Sequence, residues 1–165
     1  MSSDQKNLRS KMEHTLRALL QSPVEASAAN DPSLLSTVLD PACKRYIQPA
    51  SLLSKLGAPP DFFFDVPSYE AAIGSEMAVF SVKGVEVDNV CVDVEGRKGS
   101  AIAVFDQLLK DGREFRVGFS WHVEFSEDGE RVVRILQYAD AVGFVEFEGA
   151  VRELVAEEAG KESKE

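Results

Sequence analysis

Asp106, Asp140, Tyr138, Tyr46 and Arg45 have types and neighbours that suit proton transfer to a carbonyl compound, or hydrogen bonding of one. Asp106 alternates with Ile102, Val104 and Leu108, so a strand here sets its carboxylate on an apolar face. Desolvation on such a face raises a carboxyl pKa, as a general acid or base requires. A bulge that slips the register would turn the same group into solvent. Asp140 closes the last β-rich run and reads either as a base in a cavity or as a cap for the following turn or helix. The tyrosines offer a hydroxyl to a developing oxyanion, or are core residues with satisfied hydroxyls. Arg45 carries the planar fork that clamps a carboxylate or enolate, unless it is spent on a surface ion pair.

His122 shares a strand face with Ser120 and Glu124, since adjacent residues point to opposite faces. His14 lies off the apolar stripe of a helix and is expected in solvent. The two cysteines, Cys43 and Cys91, form no CxxC pair and lie near no histidine at ligand spacing, so no metal site is expected and both read as small buried hydrophobes. A glycine-rich phosphate loop, a nucleophile elbow and HExxH are all missing, which leaves kinase, α/β-hydrolase and zincin chemistry without their motifs.

The elements that must position these groups follow from periodicity. Leu8, Met12, Leu16 and Leu19 recur at helical spacing behind a Ser2/Gln5 capping box, predicting a first amphipathic helix. Residues 22–33 read as a polar break, and Asp31-Pro32 opens a short second helix through Leu39. From 41 to 67 five prolines predict irregular chain, interrupted by two helical turns in PASLLSKLG and by a Phe62-Phe63-Phe64 run that reads as core or pocket wall. Ser68 caps a third helix from Tyr69 to about Met77. From Ala78 the period becomes two. AVFSVKGVEV, NVCVDV, SAIAVFDQLL, EFRVGFSWHVEF and RVVRILQYAD are joined by short turns and must run antiparallel. Phe115, Val117, Phe119, Trp121, Val123 and Phe125 mark one apolar face, and Phe144, Phe147, Val151 and Leu154 a last helix.

With 165 residues, 44% of them hydrophobic, the chain suits one α+β domain, expected over 1–158 with a charged tail, frayed, over 159–165. A net charge of -10 opposes binding to phosphate backbones and anionic lipid, and no window approaches the roughly 18 apolar residues of a membrane span. No nucleic acid or membrane partner is expected, and a cytoplasmic location is.

WHVEFSEDGERVVRILQYADA resembles the W-x-L-x-F-x-E-D-G…I-x-E-[FY]-x-D signature of fungal SnoaL-like proteins in the NTF2-like superfamily. Trp121, Val123, Phe125, Asp128, Gly129, Ile135, Tyr138 and Asp140 fall on the matching positions. DPACKRYIQPASL is similar to a C-x-H-x-x-x-P-x-S segment of the same proteins, matched by Cys43, Pro49 and Ser51. The resemblance covers residues 8 to 142. It implies a cone in which N-terminal helices pack on a strongly curved antiparallel sheet, closed by a C-terminal helix and usually dimeric. It also implies cofactor-free acid–base chemistry on a small apolar or carbonyl-containing ligand, as in isomerases and cyclases of secondary metabolism.

Three positions depart from that pattern. Arg45 stands where a histidine is usual, Val117-Gly118 precede Phe119 where relatives carry Asn-Glu, and Gln137 replaces a glutamate and holds no exchangeable acid proton at neutral pH. The site expected on these grounds has Asp106, Asp140 and Tyr138 as catalytic groups, with Arg45, Tyr46, Phe63, Phe119, Trp121 and Gln137 contacting substrate. A homodimer through the Arg116/Ser120/His122/Glu124 face is expected as well. The departures keep open a non-catalytic NTF2-like module that binds a small molecule or a partner.

Overall fold

The computed structural model describes residues 2–162. Helix α1 spans Ser3–Ala29 and opens on the Ser2/Gln5 capping box. It continues through the expected break at 22 because the one bond that Pro23 cannot make is replaced: Ser22 Oγ donates to the Leu19 carbonyl at 2.8 Å. Asn30, in the left-handed region, ends it. Asp31 then accepts from the Ser33 amide at 2.9 Å and starts a single 3-10 turn, Pro32–Ser36, in place of a helix reaching Leu39.

Leu39 instead begins strand β1, Leu39–Gln48, inside the segment expected to be irregular. Pro41 is tolerated because it falls where the ladder is interrupted between Leu39 and Lys44, so no bond is lost for want of its N–H. Helix α2 (Ala50–Lys55) matches PASLLSKLG, a two-residue strand β2 (Phe63–Phe64) pairs with β1, and helix α3 (Val66–Glu76) is capped by Asp65 rather than Ser68. Four long strands follow: β3 (Phe80–Asp93), β4 (Lys98–Leu109), β5 (Glu114–Phe125) and β6 (Val132–Ala139). Helix α4, Ala141–Glu162, completes the fold; it passes the boundary expected at 158, and 163–165 lie outside the described residues.

The sheet order is β2-β1-β6-β5-β4-β3. Strands β3 to β6 form the expected antiparallel meander, whereas β1 joins β6 in parallel. AVFSVKGVEV and NVCVDV are one strand, broken in register between Val82 and Gly84 and between Asp88 and Cys91. Such irregularities bend a strand, and the sheet is curved and unclosed. Its concave face carries the β5 alternation as read, with Trp121, Val123, Phe125 and Val117 buried, and α1, α3 and α4 cover it.

Two glycines set how closely α1 seats. A Cβ on Gly99 would lie 2.9 Å from the Phe125 ring and 3.4 Å from Leu16. Gly129, at φ +74°, turns β5 into β6 directly beneath Leu8 and Met12, and its carbonyl accepts from buried Thr15 Oγ1 at 2.8 Å. Gly129→Ala forces a side chain into both the left-handed backbone and that seam. It should destabilise the fold by about 1–3 kcal/mol, read as a lower denaturation midpoint, and by more than a substitution at Gly112 (φ +92°) in the β4–β5 turn, which meets no neighbouring atom and bears the backbone strain alone.

Candidate active site

Helices laid over a concave sheet leave a cavity of about 320 Å3. Its floor is the inward row of each strand: Phe105 and Gln107 of β4, Phe119 and Trp121 of β5, and Gln137 of β6. Tyr69, Ala72, Ile73 and Glu76 line it from one stripe of α3, and Phe144, Phe147 and Glu148 from one stripe of α4. The walls are mostly aromatic and aliphatic, so each polar group in them acts in a weakly screening medium.

Arg45 does not line the cavity but lies behind Tyr69, Trp121 and Gln137, which do. It is 4% exposed, with its guanidinium 3.8 Å from the centre of the Tyr69 ring and 5.1 Å from that of Trp121. Nη1 donates to Gln137 Oε1 at 3.1 Å. The strand register explains the grouping, because Gln137 lies beside Ile47 of β1 on one side and Trp121 of β5 on the other. Among the described residues no carboxylate forms an ion pair with Arg45. Trp121 Nε1 and Gln107 Oε1 are buried without a protein hydrogen-bond partner.

Glu76 and Glu148 lie in the wall contributed by the C-terminal part of α3 and the middle of α4. Burial, reinforced by the charge of Glu148 and opposed by Arg152, raises the Glu76 carboxyl to about 7. Burial raises Glu148 too, against the pull of Arg152, whose Nε is 4.0 Å from Glu148 Oε2. Two carboxyls whose burial favours the protonated form thus line one apolar cavity, and the charge of Glu148 helps hold the proton on Glu76.

The inward groups expected from the sequence are Phe119, Trp121, Gln137 and, behind Tyr69, Arg45. Tyr138 and Tyr46, each adjacent in sequence to one of these, point to the opposite face. Tyr138 is 44% exposed and meets His122 edge-on, and Tyr46 packs on Phe63 and under Arg134 outside the sheet. Phe63 is therefore an outer-face residue, while its neighbours Phe62 and Phe64 line the cavity.

Asp106 is on the outer side without any slip in β4. The apolar run of that strand has two faces, and the buried one is Ala101, Ala103, Phe105, Gln107 and Leu109. The Asp106 side chain, 47% exposed, pairs with Arg116 Nε at 3.3 Å, and Arg116 also meets Glu86. Asp140 caps α4, accepting from the amides of Val142 at 3.2 Å and Gly143 at 3.4 Å. His122 and His14 are exposed. Cys43 is buried, its thiol pushed up to about 11, but Cys91 is exposed on β3, contrary to expectation. Among the described residues no group of three His, Cys, Asp or Glu side chains is arranged for a metal ion, and no helix is long and apolar enough to cross a membrane.

Glu76 and Glu148 were not foreseen, although each left a trace. Glu76 continues the Tyr69, Ala72, Ile73 stripe, and Glu148 interrupts the Phe144, Phe147, Val151 stripe, so both are carboxylates on the buried face of a helix. The folded protein keeps the Glu76 proton to about pH 7, whereas an unfolded chain releases it near 4.5. The native state thus binds more protons in between, and stability declines as pH rises through this window. In Glu76→Gln the fall in melting temperature from about pH 5 to about pH 8 should be shallower than in the wild type. Equal slopes would show that Glu76 titrates as an ordinary surface carboxylate.

No family model and no curated protein matches the chain. Solved structures do. BvnE pinacolase from Penicillium brevicompactum superposes with a TM-score of 0.72 at 16% identity, covering 91% of this chain and 99% of that one. AusH from Aspergillus nidulans gives 0.61 at 18% identity, over 82% of this chain and 90% of the other. A protein of ketosteroid isomerase-like fold from Catenulispora acidiphila gives 0.52 at 15% identity, over 73% and 83%. Helices over a curved, unclosed six-stranded sheet, shared with these neighbours at low identity, show that the chain has the NTF2-like, SnoaL-like fold.

Proposed function

We propose that this protein is an isomerase that relocates a proton within a small, largely apolar, carbonyl-bearing molecule, with Glu148 as base and Glu76 as acid. The observation that carries this reading is the pair of carboxyls in the wall of an otherwise apolar cavity. Arg152 beside Glu148 favours its ionised form, and the charge on Glu148 in turn holds the proton on Glu76. Ionised Glu148 removes a proton from the carbon next to the carbonyl while Glu76 gives its proton to the carbonyl oxygen, forming an enol. Where a carbon–carbon double bond beyond that carbon makes the product a dienol, Glu148 returns the proton to its far carbon, the double bond moves into conjugation with the carbonyl, and the hydroxyl proton goes back to Glu76, so both carboxyls are restored and the cycle consumes nothing. Phe105, Phe119 and Phe144 supply the apolar walls that keep the exchange out of bulk water. A polyketide- or terpenoid-like intermediate of secondary metabolism is the substrate class, in keeping with a pinacolase among the neighbours of the same fold.

The test is proton exchange into α-tetralone in heavy water, followed by NMR, with binding followed through Trp121, the only tryptophan of the chain. Wild-type protein should accelerate exchange, and Glu76→Gln and Glu148→Gln should each reduce it by about 10²–10⁴-fold with quenching of Trp121 retained. Asp106→Asn and Asp140→Asn, both outside the cavity, should leave the rate unchanged. Binding without exchange above the buffer rate would instead assign the cavity to ligand carriage.

We further propose a homodimer through the convex face, where His122, Glu124 and Arg116 surround exposed Ile102 and Tyr138. Light scattering at micromolar concentration should give twice the 18.1 kDa of one chain, and the mass of one chain would overturn it.

A further inference from the structure

We propose that Gln107 recognises a hydroxyl in the cavity, so that the ligand is a hydroxylated carbonyl compound whose O–H group sits on the Gln107 side-chain amide. The hydroxyl site is argued from the surroundings of that amide; that the same molecule reacts at Glu76 and Glu148 rests on the reading above.

Gln107 belongs to the buried row of β4, where its neighbours Phe105 and Leu109 are apolar. It lines the cavity and is 7% exposed. Its Oε1 is buried without a partner, and its Nε2 makes no hydrogen bond to another described residue. A primary amide carries two donors and a two-lone-pair acceptor, and burying it unpaired costs free energy that an apolar side chain in its place does not. The second glutamine of the floor shows the contrast, because Gln137 Oε1 already accepts from Arg45 Nη1 at 3.1 Å. Gln137 is held by the protein, and Gln107 is left to whatever fills the cavity.

The unpaired group selects the chemistry of its partner. A hydroxyl donates and accepts, so it pairs with either end of the amide. A hydrocarbon, an ether or a second carbonyl has no proton to give to Oε1. An ammonium group would pair with ionised Glu148 in the same cavity rather than with a neutral amide.

The strand ladders fix where that hydroxyl lies. Gln107 stands between Val82 of β3 and Phe115 of β5. The Phe115 ring packs against Phe147 of α4 at 5.7 Å, and Phe147 packs against Phe80 at 5.2 Å. Glu148 follows Phe147 directly, and α3 ends at Glu76 shortly before β3 begins at Phe80. The amide therefore lies on the floor at the end of the cavity where the two carboxyls stand. Trp121 is remote from it, since its partner Ala101 is six residues, about 20 Å, further back along β4. A hydroxyl on Gln107 thus orients the end of the ligand that reacts, and decides which carbon turns toward Glu148.

α-Tetralone and its 5-, 6- and 7-hydroxy derivatives, one ring system with the hydroxyl moved around it, test this by calorimetry. Wild-type protein should bind at least one derivative about tenfold more tightly than α-tetralone itself, or better. Gln107→Met keeps a side chain of similar length without the amide, and should bring every derivative to within about twofold of α-tetralone, which still binds. Without ligand the same variant should melt no lower than the wild type, because it removes an unpaired buried amide; a purely structural glutamine would give the reverse. Gln107→Leu serves if Gln107→Met does not fold, and the ranking of probes by the wild type needs no variant. No binding of any hydroxylated probe, equal affinity for all four compounds, or a preference that survives in Gln107→Met would each overturn the hydroxyl site. So would a lower melting temperature with affinity for all four lost together. These readouts involve no turnover: with the preference intact, failed exchange into α-tetralone removes the chemistry and keeps the hydroxyl site, and exchange without the preference does the converse.

Discussion

A bent sheet offers one concave face, and straight helices cannot follow it. In this protein the bend is written into β3 by two breaks in register, and the neighbouring strands β4, β5 and β6 inherit it through their ladders. At one end α1 seats tightly against the sheet because Gly99 and Gly129 have no side chains to hold it off, and Thr15 ties it to the β5–β6 turn. Further along, α3 and α4 bridge the hollow instead of filling it. The cavity is thus the geometric remainder of helix packing on a curved surface, and the groups that face it are those the strand and helix periods turn inward.

Within that remainder the polar groups are few and segregated. Gln137 and the Trp121 indole, backed by Arg45, stand near Tyr69, whereas Glu76 lies some two helical turns further along α3 with Glu148 and Arg152 of α4 in the same wall. Segregation matters because opposite charges in contact would neutralise each other: Arg45 on Glu76 would have kept that carboxyl ionised and ordinary. Held apart, burial acts on the carboxyls with only Arg152 opposing it, and Glu76 stays poised near neutrality. The ion pairs of the outer face, such as Asp106 with Arg116 and Glu124 with Arg134, show the opposite outcome, with partners in contact and in water.

Much of the fold was legible because its strongest signals are local. The β5 alternation, the turns at Gly112 and Gly129, the capping box of α1 and the Trp121-to-Asp140 motif all lie within short stretches of chain. Strand β1 was hidden for two reasons. Its pairing with β6 is parallel and separated by some ninety residues, and Pro41 and Pro49 at its ends read as breakers when the proline in fact sits where the ladder is already interrupted. Helix α1 outran its expected end because Ser22 replaces the bond that Pro23 removes, a compensation made by one hydroxyl.

The sequence by itself determined the class of fold, the inward row of β5 and the candidacy of Phe119, Trp121, Gln137 and Arg45, because a period of two or a short motif assigns a residue to a face without reference to distant chain. Which of two apolar faces of β4 is buried, and so whether Asp106 or Gln107 meets the cavity, depended on the side from which the helices pack. The same holds for Glu76 and Glu148. Each is one carboxylate on one helical stripe in the sequence, and only the folding of α3 and α4 over the same hollow brings them close enough for the charge of one to hold the proton of the other.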